Sequence, residues 1–267
     1  MNLKKLKMKK FAGLLLAFVA VTMFFSCSDD DSTSDQNARL KISMTDAPGD
    51  YEAVFVEVTD VMIKSDVSTE EVSLKNVQSG KYDLLKLTGG VTQLLADAEI
   101  PAGFLGQIRL VLGTDNYVMI DGEPQPLSTP SAQQSGLKLQ INQELEAGIA
   151  YEYLLDFDVD KSVVSAGASG GFILKPVIRV IAMEGTGTIS GEVQPSSFQS
   201  VVTATNASQS ISAYTAADGK FSLNGVPAGT YQVTVTPALL SGLEVKVINN
   251  VEVASGASVA LDAIFLE

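Results

Sequence analysis

The sequence contains no histidine and no tryptophan among its 267 residues. Without imidazole, the chain cannot build a Ser-His-Asp triad, a Cys-His dyad or a zinc site with histidine ligands. The sequence also lacks a G-x-x-x-x-G-K-[ST] phosphate loop and a dinucleotide fingerprint after a strand. The chemistry that remains is that of carboxylates, of a serine–lysine pair, or of calcium held by oxygen ligands.

Cysteine occurs once, at Cys27, so a single chain cannot form a disulfide. Before it come the lysine-rich start MNLKKLKMKK and an uncharged apolar stretch over residues 11–25. This order predicts a secretory signal peptide over residues 1–26, and the apolar stretch is short for a membrane-spanning helix. With the small Ser26 before it, Cys27 resembles the acylated cysteine of bacterial lipoproteins, which carries palmitate-type chains and implies anchoring to a membrane. A free thiol behind an ordinary signal peptide, or an uncleaved anchor, is the alternative.

Acidic residues outnumber basic residues, 31 to 18, in the full sequence. Removal of the five lysines in residues 1–26 leaves 13 basic residues and a net charge of −18. A protein of this charge repels phosphate backbones, so we expect no nucleic-acid partner. Residues 28–38, SDDDSTSDQNA, are small and polar, and they predict a flexible acidic tether over 27–38. The S-D-D-D after the cysteine resembles the export signal of Bacteroidota lipoproteins, which implies an outer-membrane protein exposed at the cell surface; a generic acidic linker is the alternative.

From Leu40 onward, short runs of alternating apolar and polar residues are separated by turns rich in proline and glycine. This period of two predicts an all-β fold. Residues 117–127 predict a hairpin around an Asp121-Gly122 turn. One segment, VTQLLADA from Val91 to Ala98, predicts a helix of two turns. A joint at residues 184–189 then divides the chain into a larger β-sandwich-like domain with one short helix, residues 39–183, and a C-terminal β-sandwich, residues 184–267.

The C-terminal region contains seven short apolar runs with turn signals between them, which predicts a seven-stranded sandwich. It carries the pattern Asp218-Gly219-Lys220-Phe221-Ser222-Leu223, then Gly225-Val226-Pro227-Ala228-Gly229-Thr230-Tyr231-Gln232-Val233. The pattern resembles the carboxypeptidase regulatory-like domain, a transthyretin-like sandwich also grouped with carbohydrate-binding-like folds. This resemblance implies neither peptidase activity nor a particular ligand. I-P-A-G at 100–103 matches V-P-A-G at 226–229, which predicts similar sandwich corners followed by an aromatic residue in the core.

The larger region, residues 39–183, resembles the domain of unknown function 4382 family (DUF4382) of lipoproteins. The residues that carry the resemblance are Thr45-Asp46-Ala47-Pro48-Gly49, Asp83-Leu84-Leu85, Ile100-Pro101-Ala102-Gly103, Gln107-Ile108-Arg109-Leu110, Ser135-Gly136-Leu137-Lys138 and Leu174-Lys175-Pro176-Val177-Ile178-Arg179. The family has no established activity, so the resemblance implies domain boundaries and no chemistry.

Asp156, Asp158 and Asp160, the aspartate triplet, are the sharpest candidate cluster. Residues at i, i+2 and i+4 of a strand share one face, so we expect the three carboxylates to line up while the intervening residues face the core. Neighbouring carboxylates repel one another, and a calcium ion would stabilise them. The EF-hand pattern is not met, because Lys161 stands where the loop glycine belongs. The alternative is a solvated strand face with Lys161 as a partial counter-charge.

Tyr151 and Tyr153 precede the triplet on the same predicted strand. We place them on one face together with the aspartates, where their rings and the nearby acids would hold a sugar. Tyrosine is also a common strand residue without any ligand, which is the alternative.

These features predict a non-catalytic surface lipoprotein that binds carbohydrate or matrix ligands and contacts the membrane through its lipid at Cys27. A structural spacer or adhesin-type subunit is the second interpretation. A glycosidase that uses two carboxylates about 5 to 10 Å apart is the third. We expect no cofactor other than calcium.

Overall fold

The chain forms β-strands over most of its length, which confirms the predicted all-β class. The computed structural model describes residues 36–47, 49–129, 136–167 and 171–267. Within these ranges, the first part of the chain contributes thirteen strands: β1 (Asn37–Ala47), β2 (Ala53–Ser65), β3 (Val72–Ser73), β4 (Gly80–Asp83), β5 (Gln93–Pro101), β6 (Gly103–Leu112), β7 (Tyr117–Ile120), β8 (Glu123–Ser128), β9 (Leu137–Leu145), β10 (Ala150–Asp158), β11 (Val163–Ser165), β12 (Phe172–Leu174) and β13 (Ile178–Ala182).

These strands form two sheets around one apolar core, and we refer to them as the first domain. The smaller sheet has the order β13-β10-β1-β5, and the larger sheet has the order β11-β12-β8-β7-β2-β6-β9 with β3 and β4 beside β2. In the smaller sheet, β1 runs parallel to β10 and antiparallel to β5. Alternate residues of β1, Leu40, Ile42 and Met44, are buried in the core with Phe157 of β10.

The predicted helix from Val91 to Ala98 is wrong, because most of this segment is strand β5. Gln93 pairs with Met44, and Ala98 pairs with Leu40, in an antiparallel ladder with β1. A helix of two turns is unstable alone, whereas the neighbouring strand offers a partner for the backbone along the whole segment. The described residues contain one α-helical turn, α1 (Val159–Ser162), and a short 3₁₀ helix over Leu84–Leu87.

Eight strands follow in the last part of the chain, which we refer to as the second domain: β14 (Thr186–Gln194), β15 (Ser200–Thr205), β16 (Ser210–Tyr214), β17 (Lys220–Pro227), β18 (Gly229–Pro237), β19 (Lys246–Val253), β20 (Ser258–Ala260) and β21 (Ile264–Phe265). One sheet has the order β16-β15-β18-β19, and the other joins β17, β20 and β21 to β14. The domain has eight strands where seven are predicted, because the last apolar run, Ala257 to Leu266, is divided between β20 and β21. Both of these strands run parallel to β14. Tyr231 lies in the separate core of this domain.

The two P-A-G sequences form equivalent corners in the two domains. Pro101 ends β5 and Gly103 begins β6, while Pro227 ends β17 and Gly229 begins β18. At each corner, the chain passes from one sheet of the sandwich to the other. The aromatic residue after the corner is buried in the second domain, where Tyr231 lies in the core. In the first domain the corresponding residue, Phe104, is exposed, so the prediction of a core aromatic residue there is wrong.

The described residues from Gln36 to Glu267 belong to one compact unit. Strand β1 begins at Asn37, so the last two residues of the predicted tether belong to the sheet. Cys27 and the predicted signal peptide lie outside the described residues. Among the helices of the described residues, none has the length and apolar character needed to cross a membrane.

Candidate functional site

The second domain covers the outer face of the smaller sheet of the first domain. Leu154 on β10 and Ile181 on β13 are paired on this face, and both are buried although neither belongs to either core. Ile211 and Leu223 of the second domain line the same narrow cavity, of about 20 Å³, as this pair. The apolar residues of this face are therefore covered by the second domain and not by solvent.

Two polar contacts also join the domains. The side-chain amide of Asn224 donates a hydrogen bond to the Gly90 carbonyl at 3.0 Å. The Tyr214 hydroxyl donates to the Asp50 carboxylate, also at 3.0 Å. Burial, together with this bond to Asp50, raises the pKa of Tyr214 to about 12, so the phenol stays a donor at neutral pH.

Next to the interface lies a polar cleft of about 440 Å³, the interdomain cleft. The aspartate triplet, Arg179 and Lys161 line it from the first domain, and Ser210 and Ser212 line it from the second. The charged residues come from neighbouring strands and a helical turn of the first domain. The cleft is the place where the sequence-predicted acids and the second domain meet.

Asp156 and Arg179 form an ion pair across two neighbouring strands. They are directly opposite in the antiparallel pairing of β10 with β13, and Arg179 Nη2 lies 2.7 Å from Asp156 Oδ2. Burial raises the pKa of Asp156, and the guanidinium opposes this shift. The local sequence around Asp156 could not reveal Arg179 as its partner, because the pairing joins segments 23 residues apart.

Asp158 is the last residue of β10 and caps the helical turn that follows. Its Oδ1 accepts a hydrogen bond from the Lys161 backbone N–H at 3.0 Å, and its Oδ2 lies 2.6 Å from Lys161 Nζ. Asp160 belongs to α1, so the strand alternation that would align it with the other two acids ends before it. Two acids of the triplet are thus neutralised by cations of the same domain.

The calcium prediction gains no support from this geometry. In the described parts of the chain, no group of three acidic, histidine or cysteine side chains converges so that it could hold a metal ion. The alternative of Lys161 as a counter-charge agrees with its contact to Asp158.

Asp46 of β1 is a buried acid that lines the narrow cavity at the interface. It is 3% exposed, and its Oδ1 accepts a hydrogen bond from the Val159 N–H at 3.3 Å. Its Oδ2 is buried without a hydrogen-bond partner among the described residues. Burial raises the pKa of Asp46 to about 9, and the charge of Asp156 adds to the shift. Asp46 is therefore protonated at neutral pH.

The proposed sugar platform of Tyr151 and Tyr153 is wrong, because both rings are buried, at 8% and 4% exposure. They face the core of the first domain, on the opposite side of β10 from Asp156. The separation of three residues between Tyr153 and Asp156 already implies opposite faces on a strand. The Tyr151 hydroxyl accepts a hydrogen bond from the Glu146 N–H at 2.9 Å, and burial raises the pKa of Tyr153 to about 12.

Fold and site together define a protein of two β-sandwich-like domains with a polar cleft at their interface. The family model "Domain of unknown function (DUF4382)" matches residues 37–176, more than half of the sequence. The chain therefore belongs to the DUF4382 family. No curated protein matches it.

Three solved structures share a weak likeness with the chain. The Bacillus anthracis TIE protein has 12% identity and a TM-score of 0.22 over 87% of this chain, which spans about a third (34%) of that protein's length. A shaft pilin spaA variant from Lactobacillus rhamnosus GG has 11% identity and a TM-score of 0.23, over 86% of this chain and 98% of the pilin. The Streptococcus pyogenes major pilin protein T-13 has 10% identity and a TM-score of 0.18, over 86% of this chain and 97% of that pilin. TM-scores this low support no argument about fold or function.

Proposed function

We propose that this protein is a non-catalytic, adhesin-type lipoprotein of the outer membrane that a lipid on Cys27 holds at the cell surface. Its ectodomain contacts carbohydrate or matrix ligands outside the cell. The observation that carries the proposal is the close packing of the two β domains. Domains in one chain move relative to one another by default unless their interface is large and apolar. A protein that bears load or presents a ligand surface at a distance from the membrane gains from a fixed arrangement.

Two glycines supply the closest approaches across this interface. A Cβ atom built on Gly90 would lie 2.3 Å from Cβ of Ser222, and one built on Gly225 would lie 2.6 Å from Cγ2 of Ile181. Both glycines have positive φ, at +93° and +64°, where other residues are strained. No side chain fits at either position without displacement of the opposite domain. These contacts support a fixed arrangement of the two domains.

The charges of the interdomain cleft support a non-catalytic role. A glycosidase needs one carboxylic acid and one free carboxylate on either side of the bond it cleaves. Asp156 and Asp158 are engaged by Arg179 and Lys161, respectively. Asp46 is protonated, but at 3% exposure it presents almost no surface to a substrate. This pattern is typical of structural ion pairs.

Attachment of cells provides the test of the adhesin role. Cells that display the full-length lipoprotein are passed over surfaces coated with neutral oligosaccharides or matrix proteins, beside cells with the Cys27→Ala variant. We expect cells with the wild-type protein to attach. Cells with the variant should not attach, and added protease should find no copy of the protein at their surface. Equal attachment by both cell populations would refute the proposal. Surface exposure without attachment to any coating would favour the second candidate, a spacer.

Rigidity is tested separately with spin labels on the two domains, at the exposed positions Glu144→Cys and Glu252→Cys. A narrow distribution of label distances is expected, because the interface fixes the domains. Gly225→Ala should broaden it. The matched control is Gly256→Ala, which has a similar φ of +68° and no heavy atom within 4 Å of the added Cβ.

A further inference from the structure

The outer face of the larger sheet carries an aromatic pair that the interdomain cleft does not involve. Phe55 on β2 and Tyr117 on β7 are directly opposite, and their rings stack with centroids 4.6 Å apart and planes 21° apart. On the other side of β7, Pro126 of β8 pairs with Tyr117 and Pro124 pairs with Met119. Three neighbouring strands thus build a flat apolar floor, and both prolines are exposed.

Polar groups stand along one rim of this floor, in the turn between β6 and β7. Thr114 and Asp115 are exposed there, and the Asp115 carboxylate pairs with the Lys81 ammonium. Lys81 Nζ also lies 5.3 Å from the centre of the Tyr117 ring. Asp115 holds the pKa of Lys81 above its ordinary value. The rim therefore combines a hydroxyl, a carboxylate and an ammonium group beside one aromatic ring.

Hydrogen bonds hold this rim in place before any ligand binds. The buried Asn116 side chain accepts from the Glu57 backbone N–H at 2.8 Å and donates to the Gly113 carbonyl at 2.8 Å. The Asp115 N–H donates to the Glu57 carboxylate at 3.0 Å. A site with fixed polar groups binds without the entropy loss of ordering them.

Tyr117, Met119, Pro124 and Pro126 of the floor line an open groove of about 490 Å³ together with residues 114–116 of the rim, and we name it the Tyr117 groove. Small-molecule sites commonly have volumes of about 300 to 1,000 Å³ with apolar walls and a few polar groups that fix orientation. We infer that the Tyr117 groove binds one neutral sugar ring of a glycan. The apolar C–H face of the ring lies on Tyr117 and the prolines, and its hydroxyls bond Asp115 and Thr114.

The charges of the groove favour a neutral sugar over an anionic one. Lys81 is the cation at the rim, and Asp115 already neutralises it. The chain as a whole carries a net charge of −13. The negative charge of the protein would repel a carboxylate or phosphate on the ligand, and the ammonium of Lys81 is already paired with Asp115. The inference rests on the adhesin role proposed above and supplies its ligand class.

The test uses the full-length lipoprotein in detergent and an array of immobilised neutral oligosaccharides of glucose, galactose, mannose and N-acetylglucosamine. We expect binding by the wild type and an affinity loss of about tenfold or more for Tyr117→Ala, which removes the central ring of the floor. Tyr117→Phe should retain binding, because it keeps the ring. The control Phe265→Ala removes an exposed aromatic residue of the second domain and should bind like the wild type.

A second set of variants covers the case in which Tyr117→Ala disturbs the fold. Asp115→Asn and Pro124→Ala alter exposed residues of the rim and floor, and each should weaken binding while the circular dichroism spectrum stays unchanged. Array binding that is unaffected by all three changes would overturn the inference and leave the adhesin role intact. Binding to a proline-rich peptide panel, with none to the sugar array, would overturn it as well. If cells attach to the coated surfaces while the purified protein binds no neutral sugar on the array, the assignment of the Tyr117 groove is wrong and the adhesin role stands.

Discussion

Asp46 sets a pH dependence of stability that a single isosteric substitution should remove. Its pKa is raised from 3.8 to about 9 by burial in the first domain. The folded state therefore keeps a proton that the unfolded chain releases above pH 4. Because the folded pKa is raised, the contribution of Asp46 to stability is complete below pH 4 and is lost as the pH rises towards 9.

The magnitude follows from this difference in proton binding. Between pH 5 and pH 8, the folded and unfolded chains differ by one proton at Asp46, so the free energy of unfolding should fall by about 1.4 kcal/mol per pH unit. At pH 7, the accumulated loss is about 4 kcal/mol. Asp46→Asn abolishes the titration and keeps an oxygen that accepts the hydrogen bond from Val159.

The assay is urea unfolding followed by circular dichroism at pH 5, 6, 7 and 8. The stability of Asp46→Asn relative to the wild type should increase steadily with pH. Asp262→Asn, a change at an exposed acid, serves as the matched control and should follow the wild type. Parallel curves for the wild type and Asp46→Asn would show that Asp46 ionises freely in the folded state, and the assignment of a buried neutral acid would be wrong.

Three further outcomes are expected. Gly225→Ala should lower the free energy of unfolding by about 1–3 kcal/mol more than Gly256→Ala. Both substitutions strain φ to a similar extent, but only Gly225→Ala also overpacks the interface. Equal losses of stability in urea titrations would contradict the tight interface. Arg179→Met should cost about 1–3 kcal/mol at pH 7 and less at lower pH, because burial raises the pKa of Asp156 and favours its neutral form. Arg39→Met, at an exposed ion pair, should leave the stability almost unchanged. A chelator should leave the melting temperature unchanged, and a drop of several degrees would restore the calcium prediction for the aspartate triplet.

Local sequence patterns predicted those features that depend on neighbouring residues. The Asp121-Gly122 turn forms as expected, with both residues at positive φ. The two P-A-G corners are also recognisable, because proline ends a strand and glycine begins the next through their own backbone preferences. Strand β10 follows from alternation over nine residues.

Features that depend on remote partners could not be read in this way. The pattern of Val91–Ala98 is compatible with a helix or a strand. The segment forms a strand because it pairs with β1, about 50 residues away in the chain. Phe55 and Tyr117 carry no mutual signal in the sequence, since the pairing of β2 with β7 alone brings their rings together. Arg179 reaches Asp156 by the same kind of pairing.

The sequence by itself therefore determined the all-β class, the turns and the chemistry that the absence of histidine excludes, because these depend on residue type and short spacing. Tertiary structure decided which face of each strand is covered. It buried Tyr151 and Tyr153, neutralised two acids of the aspartate triplet and left Tyr117 beside an open groove. The physical reason is that alternation separates the two faces of a strand, while only the packing of sheets and domains determines which face meets solvent.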